Sequence, residues 1–135
     1  MQVVTAALIF AAGVLTMTVV AAQHVEPAPV VTGTVTRMDT ADISGGRQKF
    51  EAGARTAWHR HDKGELLFAE SGHMRTGRRS EPVKEYAAGG SEYTAPHVEH
   101  WHGATPAEPL VQVNVQFGGK ATWLSKTTDL EYNRK

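Results

Sequence analysis

Short alternating stretches of apolar and polar residues predict strands over most of the chain. From residue 32 onward, β-branched and aromatic residues fall in pieces too short for helical periodicity, separated by the glycine pairs at 45–46, 89–90 and 118–119. The predicted strands are residues 32–37, 47–51, 57–61, 65–69, 73–78, 83–86, 91–94, 98–103 and 110–117. Many short strands at this spacing predict an all-β sandwich or a small barrel.

A different pattern occupies residues 3–22, which form an almost uncharged apolar run ending in two alanines. Such a run is typical of a secretory signal segment, residues 1–22, with cleavage expected before Gln23. An uncleaved N-terminal anchor is the alternative, because no basic residue precedes the run and it is long enough to span a bilayer. Both interpretations predict export, to the periplasm or out of the cell, and no other membrane segment.

The remainder of the chain divides into a linker and one domain. Residues 23–31 contain two prolines and predict an extended linker or arm, so the folded domain is expected at residues 32–135. Near the end of that domain, Thr128 or Asp129 is expected to cap a short helix through Tyr132.

Composition narrows the classes of function. The 135 residues fit a single domain that buries a core without disulfides, since the chain has no cysteine. Its 14 basic and 14 acidic residues balance, which argues against a nucleic acid or an anionic membrane surface as a partner. Without cysteine, the seven histidines are the main candidates for metal ligands.

Two histidine pairs carry the strongest chemical signal. His59 and His61 share one face of a predicted strand because alternate side chains point the same way, and Glu65 returns toward them after a turn. His100 and His102 share a face for the same reason. Imidazoles with a carboxylate suit a divalent transition metal, so the two pairs predict a metal site. A small-molecule substrate is the expected partner of this site.

These residues resemble the two sequence motifs of the cupin superfamily. The first motif, G-x5-H-x-H-x3-E-x6-G, is matched in full by Gly53, His59, His61, Glu65 and Gly72. The second, G-x5-P-x-G-x2-H-x3-N, is matched at Gly89 and His100, whereas its proline, glycine and asparagine are replaced by Ala95, His97 and Ala104. The resemblance extends over residues 32–117.

The resemblance implies a fold and a metal centre. The fold is a single cupin β-barrel, the double-stranded β-helix or jelly roll, here with a short C-terminal helix. The metal centre would use three histidines and one glutamate: His59, His61, Glu65 and His100. Its ion would be one divalent transition metal, Mn(II) first, with Fe(II), Zn(II) and Ni(II) as alternatives. Cupins of this size are often homodimers or homotetramers.

Within the superfamily, the chain is similar to small bacterial cupins described as manganese-dependent hydroxynitrile lyases or (R)-mandelonitrile lyase-like proteins, and to carboxymuconolactone-decarboxylase-associated cupins. The similar segments are TGTV at 32–35, GARTAWH at 53–59, HWHGATP at 100–106 and the end of the chain at 123–134. Two positions depart from that group. Glu65 replaces its usual glutamine, which makes the site more anionic, and Gln112 replaces a histidine that could transfer a proton.

Other residues receive roles from strand parity. His102 is expected to be the general acid or base. The alternative is a histidine beside the ligands or in the core whose hydrogen bonds are all made within the protein. A closed structural metal site is the alternative to an open catalytic one. The residues expected to line the substrate pocket are Gln48, Thr56, Gln112 and Gln116.

Parity gives the opposite result for residues beside the ligands. Trp58 and Trp101 are expected to pack in the core, because they alternate with the metal-facing histidines. His97 is expected to be an exposed histidine at the barrel mouth. Three arginines, Arg75, Arg78 and Arg79, are expected to form a solvated hairpin rim.

These expectations favour an exported metal-dependent enzyme, first of all a lyase acting on a cyanohydrin or a similar oxygenated molecule. The alternatives are a metal-dependent dioxygenase, an isomerase or decarboxylase, and a cupin that binds metal and ligand without turnover.

Overall fold

The computed structural model describes residues 34, 36 and 42–135. The predicted signal segment and linker lie outside the described residues, as does most of the strand predicted at 32–37, of which only Thr34 and Thr36 are described. Neither of these two residues is in a strand. In the described part of the chain, no helix combines the length and the hydrophobicity needed to cross a membrane.

Residues 42–135 form two antiparallel sheets and a short helix. The elements are β1 (Ser44–Phe50), β2 (His59–His61), β3 (Glu65–Ser71), β4 (Met74–Arg78), β5 (Lys84–Tyr86), β6 (Ser91–Thr94), β7 (His100–Ala104), β8 (Leu110–Gln116), β9 (Ala121–Trp123) and α1 (Asp129–Tyr132). One sheet has the strand order β1-β8-β3-β6, and the other has the order β5-β4-β7-β2-β9. This architecture confirms the predicted all-β barrel.

The agreement with the predicted elements is close from residue 47 onward, where each predicted strand has a counterpart among β1 to β8. The predicted cap of α1 is also confirmed. The Thr128 hydroxyl accepts a hydrogen bond from the backbone N–H of Glu131, and the Glu131 carboxylate accepts one from the backbone N–H of Thr128. This reciprocal pair is a capping box, which satisfies two donors at the helix start.

Glycines with positive φ form the turns at both ends of the first cupin motif. Gly72 has a φ of 76°, and a Cβ at this position would lie 2.0 Å from the Pro109 carbonyl oxygen. Gly53 has a φ of 77°, in the same left-handed region. Residues with a Cβ rarely adopt this conformation, so the backbone explains why glycine stands at both ends of the motif.

The core falls into two clusters on opposite faces of the five-stranded sheet. Inside the barrel, one end is filled by apolar residues, namely Leu67, Ala69, Met74, Ala104 and Leu110. On the outer face, Trp58 and Trp101 pack with Tyr132 of α1, and all three are at most 3% exposed. The predicted role of the two tryptophans as packing residues is therefore confirmed. The apolar residues occupy only one end of the interior, which leaves the other end to polar chemistry.

The prediction of a solvated arginine rim is wrong for two of the three arginines. The Arg75 side chain is 13% exposed, and its guanidinium lies 4.9 Å from the centre of the Tyr132 ring. Arg78 is 22% exposed and pairs at 2.9 Å with the buried carboxylate of Glu92. Their stems and planar heads cover apolar surface and a buried charge, which sequence parity does not reveal. Arg79 is exposed but lies 3.7 Å from the Trp58 ring centre.

Strand β8 has an unusual distribution of side chains. After the buried Leu110, its inward residues are the amides Gln112 and Asn114, both buried, whereas Val111, Val113 and Val115 alternate with them and are only half-buried. From residue 111 onward, the usual pattern of apolar residues inside and polar residues outside is therefore reversed on this strand. The reversal makes the interior beside β8 polar.

Candidate metal centre

Four side chains from both sheets meet at the polar end of the interior. His59 and His61 lie on β2, Glu65 is the first residue of β3, and His100 is the first residue of β7. His59 and His100 are directly opposite one another across the β2–β7 pair. Gly64, with a φ of 89°, completes the turn that brings Glu65 to the histidines. All four side chains are at most 3% exposed.

One oxygen of Glu65 is the point on which the imidazoles converge. Its Oε2 atom lies 3.1 Å from Nε2 of His100, 3.3 Å from Nε2 of His61 and 3.8 Å from Nε2 of His59. The other oxygen, Oε1, accepts a hydrogen bond of 3.0 Å from the side-chain amide of Asn114. Asn114 therefore orients the carboxylate with a single oxygen toward the histidines.

Backbone carbonyls fix the orientation of two of the rings. Nδ1 of His59 lies 2.9 Å from the Ala57 carbonyl oxygen, and Nδ1 of His100 lies 3.1 Å from the Val98 carbonyl oxygen. Because a carbonyl only accepts, both Nδ1 atoms donate, and Nε2 is the ring nitrogen that faces Glu65 in each case. Second-nitrogen hydrogen bonds of this kind typically orient histidines that bind a metal.

The charge of Glu65 requires a positive partner. Burial acts to raise the pKa of Glu65, but its contacts with His100, His59 and His61 outweigh burial and hold that pKa well below its usual range. Glu65 is therefore ionised at neutral pH. An ionised oxygen and imidazole lone pairs repel one another unless a proton or a cation lies between them, and a buried anion is costly when uncompensated.

A divalent metal ion fits this set of donors. The ligand atoms of His59, His61, Glu65 and His100 all lie within 4.8 Å of one another. Atoms bound about 2.1 Å from one ion are separated by roughly 3 to 3.5 Å, close to the separations observed around Glu65. Nε2 of His61, the nitrogen that faces Glu65, is buried without a hydrogen-bond partner among the described residues, and a metal ion at this point would bind it. The structure thus brings the four predicted ligands together.

His102 lies beside this group and on the same face of β7 as His100. Its Nε2 is 3.8 Å from Oε2 of Glu65, and its backbone N–H donates to Oγ1 of Thr56 at 3.1 Å. Burial lowers the pKa of His102 to about 3, although the charge of Glu65 acts in the opposite direction. His102 is therefore neutral, with one ring nitrogen directed at the metal-binding group.

A cavity of about 100 Å³ adjoins the group and contains most of the predicted pocket residues. Gln48, Thr56 and Gln116 line it together with His102. Gln112 does not line this cavity: it is fully buried, and neither atom of its amide has a hydrogen-bond partner among the described residues.

Sequence reasoning missed two residues of the cavity. Asn114 shares the face of Gln112 and Gln116 by parity, so its alternation on β8 was the signal that could have found it. Trp123 lies opposite His59 across the β2–β9 pair, with ring centres 4.6 Å apart. No signal pointed to Trp123, because β9 has only three residues and shows no periodicity.

His97 is exposed, as predicted, and stands where the cupin motif has glycine. Its φ is 63°, the left-handed conformation that favours glycine, and its backbone N–H donates to the His61 carbonyl oxygen at 2.8 Å. The replacement therefore preserves the turn and its backbone bond to β2, at the cost of some steric strain.

Comparison with known proteins places this geometry in a family context. No family model matches the chain. The chain is 36% identical to an (R)-mandelonitrile lyase of Granulicella tundricola over an alignment of 117 residues, which covers 80% of this chain and 89% of the relative. A cupin-like protein from Thermotoga maritima matches with a TM-score of 0.65 and 35% identity, over 67% of this chain and 71% of the other.

A more distant structure supports the fold alone. An uncharacterised protein with a double-stranded β-helix domain from Klebsiella pneumoniae matches with a TM-score of 0.56 and 22% identity, over 66% of this chain and 80% of the other. The same barrel is therefore shared by sequences that differ at most positions.

Proposed function

Because the chain belongs to the cupin superfamily, we propose that it is a metal-dependent lyase that cleaves a cyanohydrin, or a similar small oxygenated molecule, reversibly. The observation that carries the proposal is the convergence of three imidazole Nε2 atoms on the ionised Oε2 of Glu65, inside a cavity that also exposes His102. The similarity to a protein named (R)-mandelonitrile lyase supports the choice of reaction.

The residues of the chain divide the work between metal binding and proton transfer. His59, His61, Glu65 and His100 would hold the ion, for which Mn(II) is our first choice and Fe(II), Zn(II) and Ni(II) are alternatives. A bound divalent ion supplies Lewis acidity, which stabilises negative charge that develops on a substrate oxygen. Gln48, Thr56 and Gln116 offer hydrogen bonds that orient the oxygen-bearing part of the substrate.

We assign the proton transfer to His102. Its neutral ring accepts the hydroxyl proton of the cyanohydrin, the electrons of the O–H bond form the carbonyl, and the C–C bond to the nitrile breaks with its electron pair on cyanide. The imidazolium then returns the proton to cyanide, which leaves as hydrogen cyanide beside the aldehyde. Atoms and charge balance without an oxidant or a reductant.

The test is a comparison of His102→Ala with the unchanged protein, both loaded with Mn(II). We expect release of benzaldehyde from mandelonitrile to fall about 10²- to 10⁴-fold while bound metal per chain is unchanged. His73→Ala is the matched control, because His73 is exposed and pairs with Glu108 away from the cavity. Full metal occupancy without turnover on a panel of aromatic and aliphatic cyanohydrins would instead identify a cupin that binds its ligand without catalysis.

Export is a second part of the proposal. Its support is the apolar run at residues 3–22. Cell fractionation and N-terminal sequencing of the native protein test it, with a mature chain beginning at Gln23 as the expected result. A full-length chain in the cytoplasm would contradict export.

A further inference from the structure

The mouth of the metal cavity holds an exposed indole. Trp123 is 61% exposed although it lies on the same face as His59, the face that carries the metal-binding side chains. Its ring is tilted by 34° to the His59 ring, at a centre-to-centre distance of 4.6 Å. The other two tryptophans of the described chain, Trp58 and Trp101, are completely buried. Trp123 therefore has one side against a metal-binding residue and the other open to solvent.

The cavity behind Trp123 is too small for an aromatic ligand. Its volume is about 100 Å³, equivalent to roughly three water molecules, whereas a cavity that holds benzene alone measures about 150 Å³. The polar groups of Gln48, Thr56, Asn114 and Gln116 are among its lining, beside the histidines and Glu65. Asn114 Oδ1 is buried and accepts no hydrogen bond from the described residues.

We infer that Trp123 is the binding platform for an aromatic ring whose small oxygen-bearing head alone enters the metal cavity. The cavity interior offers a metal-binding group and amides, which suit the oxygen-bearing head of such a ligand. The cavity mouth offers one flat apolar surface, which suits its aromatic ring. Stacking on an exposed indole is favourable for an aromatic ring and weak for a methyl group. This inference rests on the metal-binding part of the proposed function, and it names aryl-substituted 2-hydroxy compounds as the ligand class.

Packing within the chain does not account for the position of Trp123. The side chain is more than half exposed, so it contributes little to the core. One face of the indole contacts the His59 ring, and this contact alone does not require the opposite face to be open to solvent. A platform, in contrast, requires an exposed face next to the metal. Among the residues that line the cavity, Trp123 provides such an exposed aromatic face.

Mandelate and lactate are suitable probes because they share a 2-hydroxy acid head and differ by a ring against a methyl group. With Mn(II)-loaded protein, we expect calorimetric titration to show mandelate binding about tenfold more tightly than lactate. Trp123→Ala is expected to abolish this preference while the affinity for lactate stays within about twofold, and Trp123→Phe is expected to keep most of it. Phe68→Ala is the control, since Phe68 is an exposed aromatic residue that does not line the cavity.

Tryptophan fluorescence gives an independent measurement. Because Trp58 and Trp101 are buried, collisional quenching by acrylamide reports chiefly on Trp123. Saturating mandelate is expected to protect the emission from quenching, and saturating lactate is not.

Three results would overturn the inference: equal or no binding of the two probes by the unchanged protein, a preference that survives Trp123→Ala, or a parallel loss of affinity for both probes, which would mean that Trp123 only supports His59. The outcomes are separable from those of the lyase proposal. Absence of cyanohydrin turnover with the mandelate preference intact refutes the lyase alone. Turnover with equal binding of both probes refutes the platform alone.

Discussion

The two oxygens of Glu65 have different partners, and this asymmetry determines how it can bind a metal. Oε1 is held by Asn114, so Oε2 alone faces the imidazoles. Parity in two His-x-His segments predicted that histidines of two strands share a site, and the resemblance to the cupin motifs selected the four ligands. Alternation with Gln112 and Gln116 on β8 could have placed Asn114 on the inner face of the sheet, but it could not have shown that its amide bonds Glu65.

Asn114→Ala is expected to weaken metal binding about 10- to 100-fold, because the carboxylate loses the hydrogen bond that orients it. The measurement is a metal titration against a competing chelator at constant pH. Gln116→Ala is the matched control, since Gln116 lines the same cavity from the same strand and makes no hydrogen bond to Glu65. Equal affinities for the unchanged protein and Asn114→Ala would show that Asn114 does not position the ligand.

At the scale of elements, local sequence signals performed well where an element carries its own cap or breaker. The helix α1 has only four residues, yet Thr128 and Glu131 form a capping box that indicates where it begins. Strand β9 has no such signal: Ala121–Trp123 is short, and its existence depends on pairing with β2 rather than on its own residues. The arginines of β4 were misjudged for the same reason, because their partners Tyr132 and Glu92 lie far away in sequence.

Glu131 makes the stability of this helix depend on pH. The backbone N–H of Thr128, its hydroxyl and nearby Arg79 lower the pKa of Glu131 to about 2. A lowered pKa in the folded state means that the stabilisation is fully present above the ordinary pKa of a glutamate and is lost as the pH falls toward 2. Glu131→Gln is therefore expected to reduce the free energy of unfolding by about 1 kcal/mol at pH 6, and by progressively less at lower pH.

Denaturant unfolding of both proteins at several pH values between 6 and 3 measures this difference. Glu51→Gln is the control, since Glu51 is an exposed carboxylate whose ion-pair partner in the described part of the chain is the exposed Lys49. A difference between Glu131→Gln and the unchanged protein that stays constant over this range would contradict the role assigned to the carboxylate.

At the scale of the whole molecule, the order of residues along β3 and β7 determines which end of the barrel interior holds the metal-binding side chains and which end holds the apolar cluster. Each strand begins with a metal-binding side chain and ends in the apolar cluster, with Glu65 and His100 at one end and Ala69 and Ala104 at the other. The resemblance to the cupin motifs predicted this barrel, and the glycines of the first motif, Gly53 and Gly72, lie at turns with positive φ. The strand order within each sheet depends on contacts between distant segments and could not be obtained from local patterns.

The metal is expected to stabilise the entire domain, because only the folded chain assembles its ligands. At a free ion concentration 100 times the dissociation constant, binding adds about 2.7 kcal/mol to the free energy of unfolding. Thermal unfolding with Mn(II) should therefore occur several degrees higher than after treatment with a chelator. His61→Ala should remove most of this difference and His73→Ala none of it, whereas an equal ion-dependent shift in His61→Ala would exclude the proposed centre.

The reversed strand β8 has a consequence for how such proteins can diverge. Its inward amides lie outside both hydrophobic clusters, so a polar replacement of similar size changes the chemistry of the interior and leaves those two clusters intact. Substitutions at Gln112, Asn114 and Gln116 can then alter reactivity while the domain remains folded. A lineage can therefore explore new reactions along this one strand without first acquiring stabilising mutations elsewhere.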